Sequence, residues 1–310
     1  MNKKIPVIID CDPGLDDVIA LLMACSSEKL DVKAVTVVAG NQTLDKVGDN
    51  TLRVLDFAGI DVPVGFGFSR PMVRPLVTAP EVHGENGLYG VKLPESKLRP
   101  SKFHAIDLMA NVIRESKEKV TLIPIGPLTN IAMFLLRYPE LKERIEMISL
   151  MGGAINGGNK TAVAEFNIYV DPEAADIVFK SEIPIMMAGL DVTHKANVFI
   201  EDIEKIKSMD NRIGRFVGQM LEGLSKYHIE EGFNGCHLHD PVAVFYVTDP
   251  EKIETKALHV DIELKGEFTT GVTVAHEDPR FNEEPNANVA FNIDREAFVE
   301  TIINSIMKYR

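Results

Sequence analysis

Residues Ile5–Ser26 read IPVIIDCDPGLDDVIALLMACS, and this stretch decides the fold. Ile5–Ile9 is a short apolar run rich in Ile and Val, as in a strand covered on both faces. Leu15–Ser26 then switches to helical spacing, with Val18, Leu21, Leu22 and Cys25 on one face. Between strand and helix lies DCDPGLDD, which places four carboxylates, Asp10, Asp12, Asp16 and Asp17, within eight residues. In open α/β sheets ligands bind outside the carboxyl ends of the strands, where this turn falls. Left unpaired in a crevice, the four would repel one another, and a bound cation relieves that repulsion. An all-oxygen set selects a hard ion, calcium or magnesium, and calcium tolerates the irregular geometry of a crowded loop. One aspartate at a helix start is ordinarily a cap or a partner of the helix dipole. Four together point to a site.

The rhythm continues outward. Val32–Ala39 and Val62–Phe66 read as strands and Leu44–Ala58 as a helix between them. Further on, strands are expected at Val120–Ile125, Ile145–Met151 and Ile185–Ala188, and helices at Ile106–Ser116, Leu128–Arg137 and Pro172–Phe179. Helices follow at Glu201–Met209, Arg212–Glu231 and Pro241–Tyr246, then strands Val260–Glu263 and Val272–Ala275 as an edge hairpin, and a closing helix Arg295–Met307. Alternating strands and helices predict βαβ units. The expectation is one α/β domain over residues 1–310, with a single open, mainly parallel, twisted sheet flanked by helices and a small C-terminal β element. Two long irregular segments, 67–102 and 152–167, interrupt the order, and such segments are usually functional or disordered. Residues 67–102 and 223–235 could close over a substrate.

Composition narrows the classes. The chain has 310 residues, 45% hydrophobic and 25% charged, enough for a large core. A net charge of −13 disfavours nucleic acid and anionic membranes as partners. Three cysteines, Cys11, Cys25 and Cys236, with no CxxC spacing, argue against a disulfide framework and for a reducing cytoplasm. No GxGxxG or GxxxxGK[ST] phosphate loop follows the first strand, and EF-hand spacing fails there.

DCDPGLDD resembles the signature of the inosine–uridine-preferring nucleoside hydrolase family. Other matches follow in order: VAGNQ around Asn41, HGENGL from His83, IGPLTNIA from Ile125, MGGA from Met151, AEFNIYVDPEAA from Ala164 and HLHDPVA from His237. They span about residues 5–245. The resemblance implies calcium-dependent hydrolysis of the N-glycosidic bond of ribonucleosides of the uridine, cytidine and inosine class, yielding base and ribose. It implies Asp12 as general base and calcium ligand, with Asp17, Asp240 and the Ile125 carbonyl as further ligands and Asp10 standing behind them. Asp16, Asn41, Met151, Asn159, Glu165 and Asn167 would hold the ribose. His239 would protonate a departing purine. Apart from the resemblance, His83 in its glycine-rich loop, Phe166, and Tyr227 and His228 at the end of a long helix are candidates to meet the base. Asp12 would deprotonate a calcium-bound water, which attacks the face opposite the base, so inversion and an oxocarbenium-like transition state are expected. Groups aimed at vicinal hydroxyls would reject deoxynucleosides. Purine-specific relatives stack the base on tryptophan, and this chain has none, which favours the inosine–uridine or pyrimidine branch. The resemblance further implies a homodimer or homotetramer acting in nucleoside salvage. Two other readings keep the same residues: a hydrolase of another N-riboside, such as nicotinamide riboside, and a nucleoside- or ribose-binding protein without turnover.

Overall fold

A computed structural model describes residues 3–309 except 231, 233, 234, 279, 281 and 282. The first half contains β1 (Ile5–Cys11), α1 (Leu15–Ser26), β2 (Leu30–Val37), α2 (Leu44–Ala58), β3 (Val64–Phe66), α3 (Pro80–His83), α4 (Ala105–Glu115), β4 (Val120–Pro124), α5 (Thr129–Arg137) and β5 (Ile145–Met151). The middle adds α6 (Phe166–Val170), α7 (Pro172–Phe179), β6 (Ile185–Ala188), α8 (Leu190–Thr193), β7 (Asn197–Val198), α9 (Ile200–Lys207), α10 (Arg212–Glu230) and β8 (Cys236–His237). The chain closes with α11 (Asp240–Thr248), β9 (Ile253–Ile262), β10 (Thr273–His276), β11 (Ala287–Ile293) and α12 (Arg295–Met307).

Nine strands form one sheet in the order β10-β9-β11-β6-β5-β4-β1-β2-β3. Every pairing from β11 through β6 to β3 is parallel, and only β9 joins its two neighbours antiparallel. Strand β1 alternates between two cores. Val7, Ile9 and Cys11 face the cluster built from α1, α10, α11 and α12, while Ile8 faces that built from α4, α5 and α7. With both faces covered, an uninterrupted apolar run is what the strand needs, since each buried Val or Ile contributes about 1.5–3 kcal/mol.

The order reverses beside β1: the chain runs outward through β2 and β3, then returns to place β4 on the other side. The crevice at such a switch point is where α/β sheets bind ligands. The Asp10–Asp17 turn leaves β1 there, and Ile125 leaves β4 there, its amide donating to the Asp10 carbonyl at 2.8 Å.

The C-terminal region differs from its expected form. The hairpin does lie at the sheet edge, but its first strand is longer than Val260–Glu263: β9 begins at Ile253 and runs ten residues. β11 inserts between β6 and β9 and so continues the main sheet. Its sequence, ANVAFNI, carries two asparagines that read as turn residues, and tertiary pairing overrides them. The hairpin partner β10 is the edge strand, as expected. No described helix is long and apolar enough to cross a membrane.

Candidate active site

Local chemistry at the β1–α1 turn fixes the first carboxylates. Asp17, in the first turn of α1, accepts the Asp12 amide at 3.0 Å through Oδ1 and the Gly14 amide at 2.9 Å through Oδ2. It thus caps donors that a helix start leaves unpaired and also stands in the crevice; cap and site are one group. Asp12 is clamped by backbone. The Asn41 amide donates to its Oδ2 at 2.6 Å. A Cβ on Gly40 would fall 2.1 Å from Oδ2, and one on Gly126 would fall 2.4 Å from Oδ1. Only glycine at these two positions lets the strand ends approach the carboxylate this closely.

Asp12 Oδ1 is buried without a hydrogen-bond partner. Asp16, Asp17 and Asp240 meet beside it, each offering an oxygen within 4.8 Å of the others. Asp240 arrives at the start of α11 with Pro241 behind it, a proline placed in the first helical turn. Burial, and then the charge of neighbouring carboxylates, pushes Asp12 and Asp240 well above the ordinary carboxylate range. Burial, and then Asp16, pushes Asp17 up to about 7. The donor set fits a hard divalent cation: buried carboxylate oxygens, one of them unsatisfied, in a group that like charge destabilises. Asp10 stands behind, its Oδ1 held by Thr36 at 2.6 Å and Asn130 at 2.8 Å. Burial raises it to about 6.

Above this floor opens a cavity of about 370 Å³, in the usual size range for a small-molecule site. Asp16, Asn41, Ile125, Met151, Asn159, Glu165, Asn167, His239 and Asp240 line it, as do His83, Phe166 and His228. Asp12, Asp17 and Asp10 are not in the lining and lie beneath it. The Tyr227 side chain and residues 231, 233 and 234 of the segment 223–235 lie outside the described residues. One grouping differs from expectation: the three mutually close carboxylates include Asp16, with Asp12 adjoining. The Ile125 carbonyl accepts the Asn167 side chain at 3.1 Å.

Hydrogen-bond counting shows which atoms remain for a ligand. Asn167 spends its side-chain N–H groups on the carbonyls of Ile125 and Met151, the latter at 3.2 Å, which turns its Oδ1 free. Asn41 Nδ2 likewise donates to the Asp12 carbonyl at 3.1 Å and to Asp17 Oδ2 at 3.3 Å. Glu165 caps α6: Oε1 accepts the Asn167 amide, while Oε2 accepts the Gly153 and Ile168 amides. One oxygen of Glu165 therefore keeps spare acceptor capacity. Asn159 accepts the Phe166 amide at 2.9 Å and braces that wall.

The rim is made of imidazoles. His194 follows α8, His237 ends β8, and their rings lie 5.0 Å apart. His239 lies 5.8 Å from His194, and His228 lies 5.3 Å from His237. His239 Nδ1 meets Thr193 Oγ1 at 2.8 Å, and its amide donates to Asp16 Oδ2 at 3.4 Å. Burial pushes the His239 pKa well below normal, and the surrounding histidines push it further. Burial and then His194 lower His237 to about 4. His83 is lowered by burial and lies over the α1 start, accepting the Leu15 amide at 3.4 Å. Sequence reasoning missed His194, His237, Thr193 and Asn130. The β7–β8 pairing carries His237 into the rim, and two-residue strands leave no periodic signal.

An acid-floored cavity at the switch point of a parallel sheet, walled by amides and roofed by imidazoles, defines a hydrolase site for a small polyhydroxyl ligand. The inosine-uridine preferring nucleoside hydrolase model matches residues 7–300, and the chain belongs to that family. It is an N-glycosyl hydrolase acting on ribonucleosides. Among its relatives, the pyrimidine-specific ribonucleoside hydrolase RihA of Photobacterium profundum is 47% identical over 307 residues, covering 98% of this chain and 99% of its own. The Citrobacter koseri protein of the same name is 46% identical, with the same coverage of both chains. Among solved structures, a purine-preferring ribonucleoside hydrolase from Gardnerella vaginalis superposes with a TM-score of 0.91 at 30% identity, covering 98% of each chain. A plant nucleoside hydrolase reaches 0.92 at 31% identity, covering 98% of this chain and 99% of its own.

Proposed function

We propose that this enzyme hydrolyses pyrimidine ribonucleosides, uridine and cytidine, with a calcium ion on the carboxylate floor. The observation that carries the reading is the unpartnered Asp12 Oδ1, buried beside Asp16, Asp17 and Asp240 at the base of the cavity. Asp12, Asp17, Asp240 and the Ile125 carbonyl would hold the ion, and Asp16 stands close enough to share it. When bound, calcium neutralises these carboxylates and acidifies water. Relatives of 46–47% identity named pyrimidine-specific, together with a chain that contains no tryptophan, support the base class.

The chain's own groups then divide the work. Asn41 Oδ1, Asn167 Oδ1 and Glu165 Oε1 accept the ribose hydroxyls and hold the sugar over the floor. Asp12, its other oxygen fixed by the Asn41 amide, takes the proton from the attacking water. The water oxygen bonds to the anomeric carbon while the C–N bond breaks, its electron pair leaving with the base. Positive charge on the sugar is stabilised by the surrounding carboxylates. His239 donates a hydrogen bond to the departing base, and the product ribose emerges inverted.

The test is ribose release from uridine, cytidine, inosine and 2′-deoxyuridine, with EDTA and with calcium restored. Uridine and cytidine should lead, deoxyuridine should be poor, and EDTA should abolish every rate. Inosine as the fastest substrate would overturn the pyrimidine assignment, and activity that survives EDTA would overturn the metal.

A further inference from the structure

Far along the chain, at the edge of the sheet, a second set of metal-ligating side chains comes together. His259 and Asp261 lie two residues apart on β9 and so share a face. His276 on β10 stands directly opposite His259 in register. Glu283, on the segment leading to β11, closes the group. The nearest oxygen or nitrogen atoms of His259, Asp261 and Glu283 all lie within 4.8 Å of one another. None of the four lines the nucleoside cavity.

Ring chemistry argues for a cation. His259 Nδ1 lies 2.8 Å from the Glu284 carbonyl, which only accepts, so Nδ1 carries the proton. Its Nε2 then points at Glu283 Oε2 at 3.0 Å and Asp261 Oδ2 at 3.6 Å. A neutral imidazole would aim a lone pair at two carboxylates there. An added proton or a metal ion resolves this. A backbone carbonyl holding the far nitrogen is also how metal-binding histidines are oriented.

The distances fit a metal. Zinc bonds nitrogen and oxygen at about 2.0–2.2 Å, so neighbouring ligands of a tetrahedral site lie about 3.4 Å apart. The separations from His259 Nε2 are 3.0 and 3.6 Å, and His276 Nε2 stands 3.4 Å from the same Asp261 oxygen. Both imidazoles are four-fifths covered, at 20% and 19% exposure, so their ring nitrogens are partly desolvated. Imidazole with carboxylate selects zinc-type ions over calcium or magnesium.

We propose that His259, His276, Asp261 and Glu283 form a second metal site, specific for a zinc-type divalent ion, that ties β9, β10 and the segment before β11 together. The test is calorimetric titration of Zn²⁺ into full-length protein whose carboxylate floor is saturated with Ca²⁺. Wild type should bind one Zn²⁺ more than His259→Ala, and Glu283→Gln, a conservative change at a half-exposed side chain, should weaken that site by at least about tenfold. Co²⁺ should give a visible tetrahedral absorption band in wild type that His259→Ala lacks. Calcium-supported uridine hydrolysis, unchanged in both variants, verifies their folding. Equal Zn²⁺ stoichiometry in wild type and His259→Ala, or no Zn²⁺ uptake in the presence of Ca²⁺, would show the group to be a set of histidine–carboxylate ion pairs and would overturn the proposal.

Discussion

The floor and the rim of the nucleoside cavity are built on opposite principles. The floor comes from two strand ends and a helix start. Backbone amides and the close approach of Gly40 and Gly126 hold its carboxylates, and burial and mutual repulsion raise their proton affinity. The rim is assembled from short elements of the second half, α8, β8 and the end of α10, and its histidines are pushed the other way, toward the neutral form. One region gathers carboxylates whose mutual repulsion a proton or a cation relieves; the other presents uncharged donors and acceptors. On the proposed function, sugar chemistry would belong to the first and base recognition to the second, which fits relatives whose names differ in base.

The sharpest way to break this division is to remove the base without removing volume. Asp12→Asn keeps the shape and loses the proton acceptor, so kcat should fall about 10²–10⁴-fold. The loss should be the same for uridine and for 4-nitrophenyl riboside, whose leaving group needs no proton, with KM little changed. A loss confined to uridine would move Asp12 out of the floor's role. The complementary change is His239→Ala. A hydrogen bond to developing charge is worth about 1.5–3 kcal/mol, so kcat/KM for uridine should fall roughly 10–100-fold while the nitrophenyl riboside is nearly unaffected. Equal losses on both substrates would show that the rim acts on the sugar as well.

The same division explains what could be read in advance. The floor was legible because its residues are consecutive: strand, acidic turn and helix lie within Ile5–Ser26, and local capping chemistry dictates most of their geometry. Asp240 came from the family resemblance, since an aspartate before a proline reads by itself as an ordinary helix cap. Pocket-wall residues such as Asn167 and Glu165 came from the family resemblance, since an isolated loop amide carries no signal of its own. His194 and His237 were not legible. Each stands at the end of an element four residues long or shorter, and only the tertiary pairing of Val198 with Cys236 unites them. Asn130 was hidden for another reason: buried in α5 inside an apolar pattern, it shows its purpose only when β1 and β2 bring Asp10 and the Val37 carbonyl to it. β11 was missed because pairing on both sides, not propensity, makes it a strand.

The smallest expected effect is on stability, and its sign separates floor from rim. Asp17 rises to about 7, and Asp12 and Asp240 rise well above their usual range, so metal-free folded protein takes up protons on these groups while the unfolded chain, with ordinary carboxylates near 3.8, does not. A group whose folded pKa is raised contributes stability below that pKa and loses it as pH climbs through it. In EDTA, stability should therefore increase as pH falls from 8 to about 6.5, by up to about 1.4 kcal/mol per proton per pH unit. Below about 6.5 the rim opposes this, because unfolded histidines gain protons that His237, lowered to about 4, and its neighbours refuse. Calorimetric Tm in EDTA should thus rise by a few degrees toward pH 6.5 and then turn over. Saturating calcium holds the floor ionised, so the rise should vanish while the acid-side loss persists. Identical profiles with and without calcium would mean that the carboxylates are not the groups the ion binds. Loss of the turnover alone would mean that the imidazoles accept protons freely, and the contrast between floor and rim would fail on the rim's side.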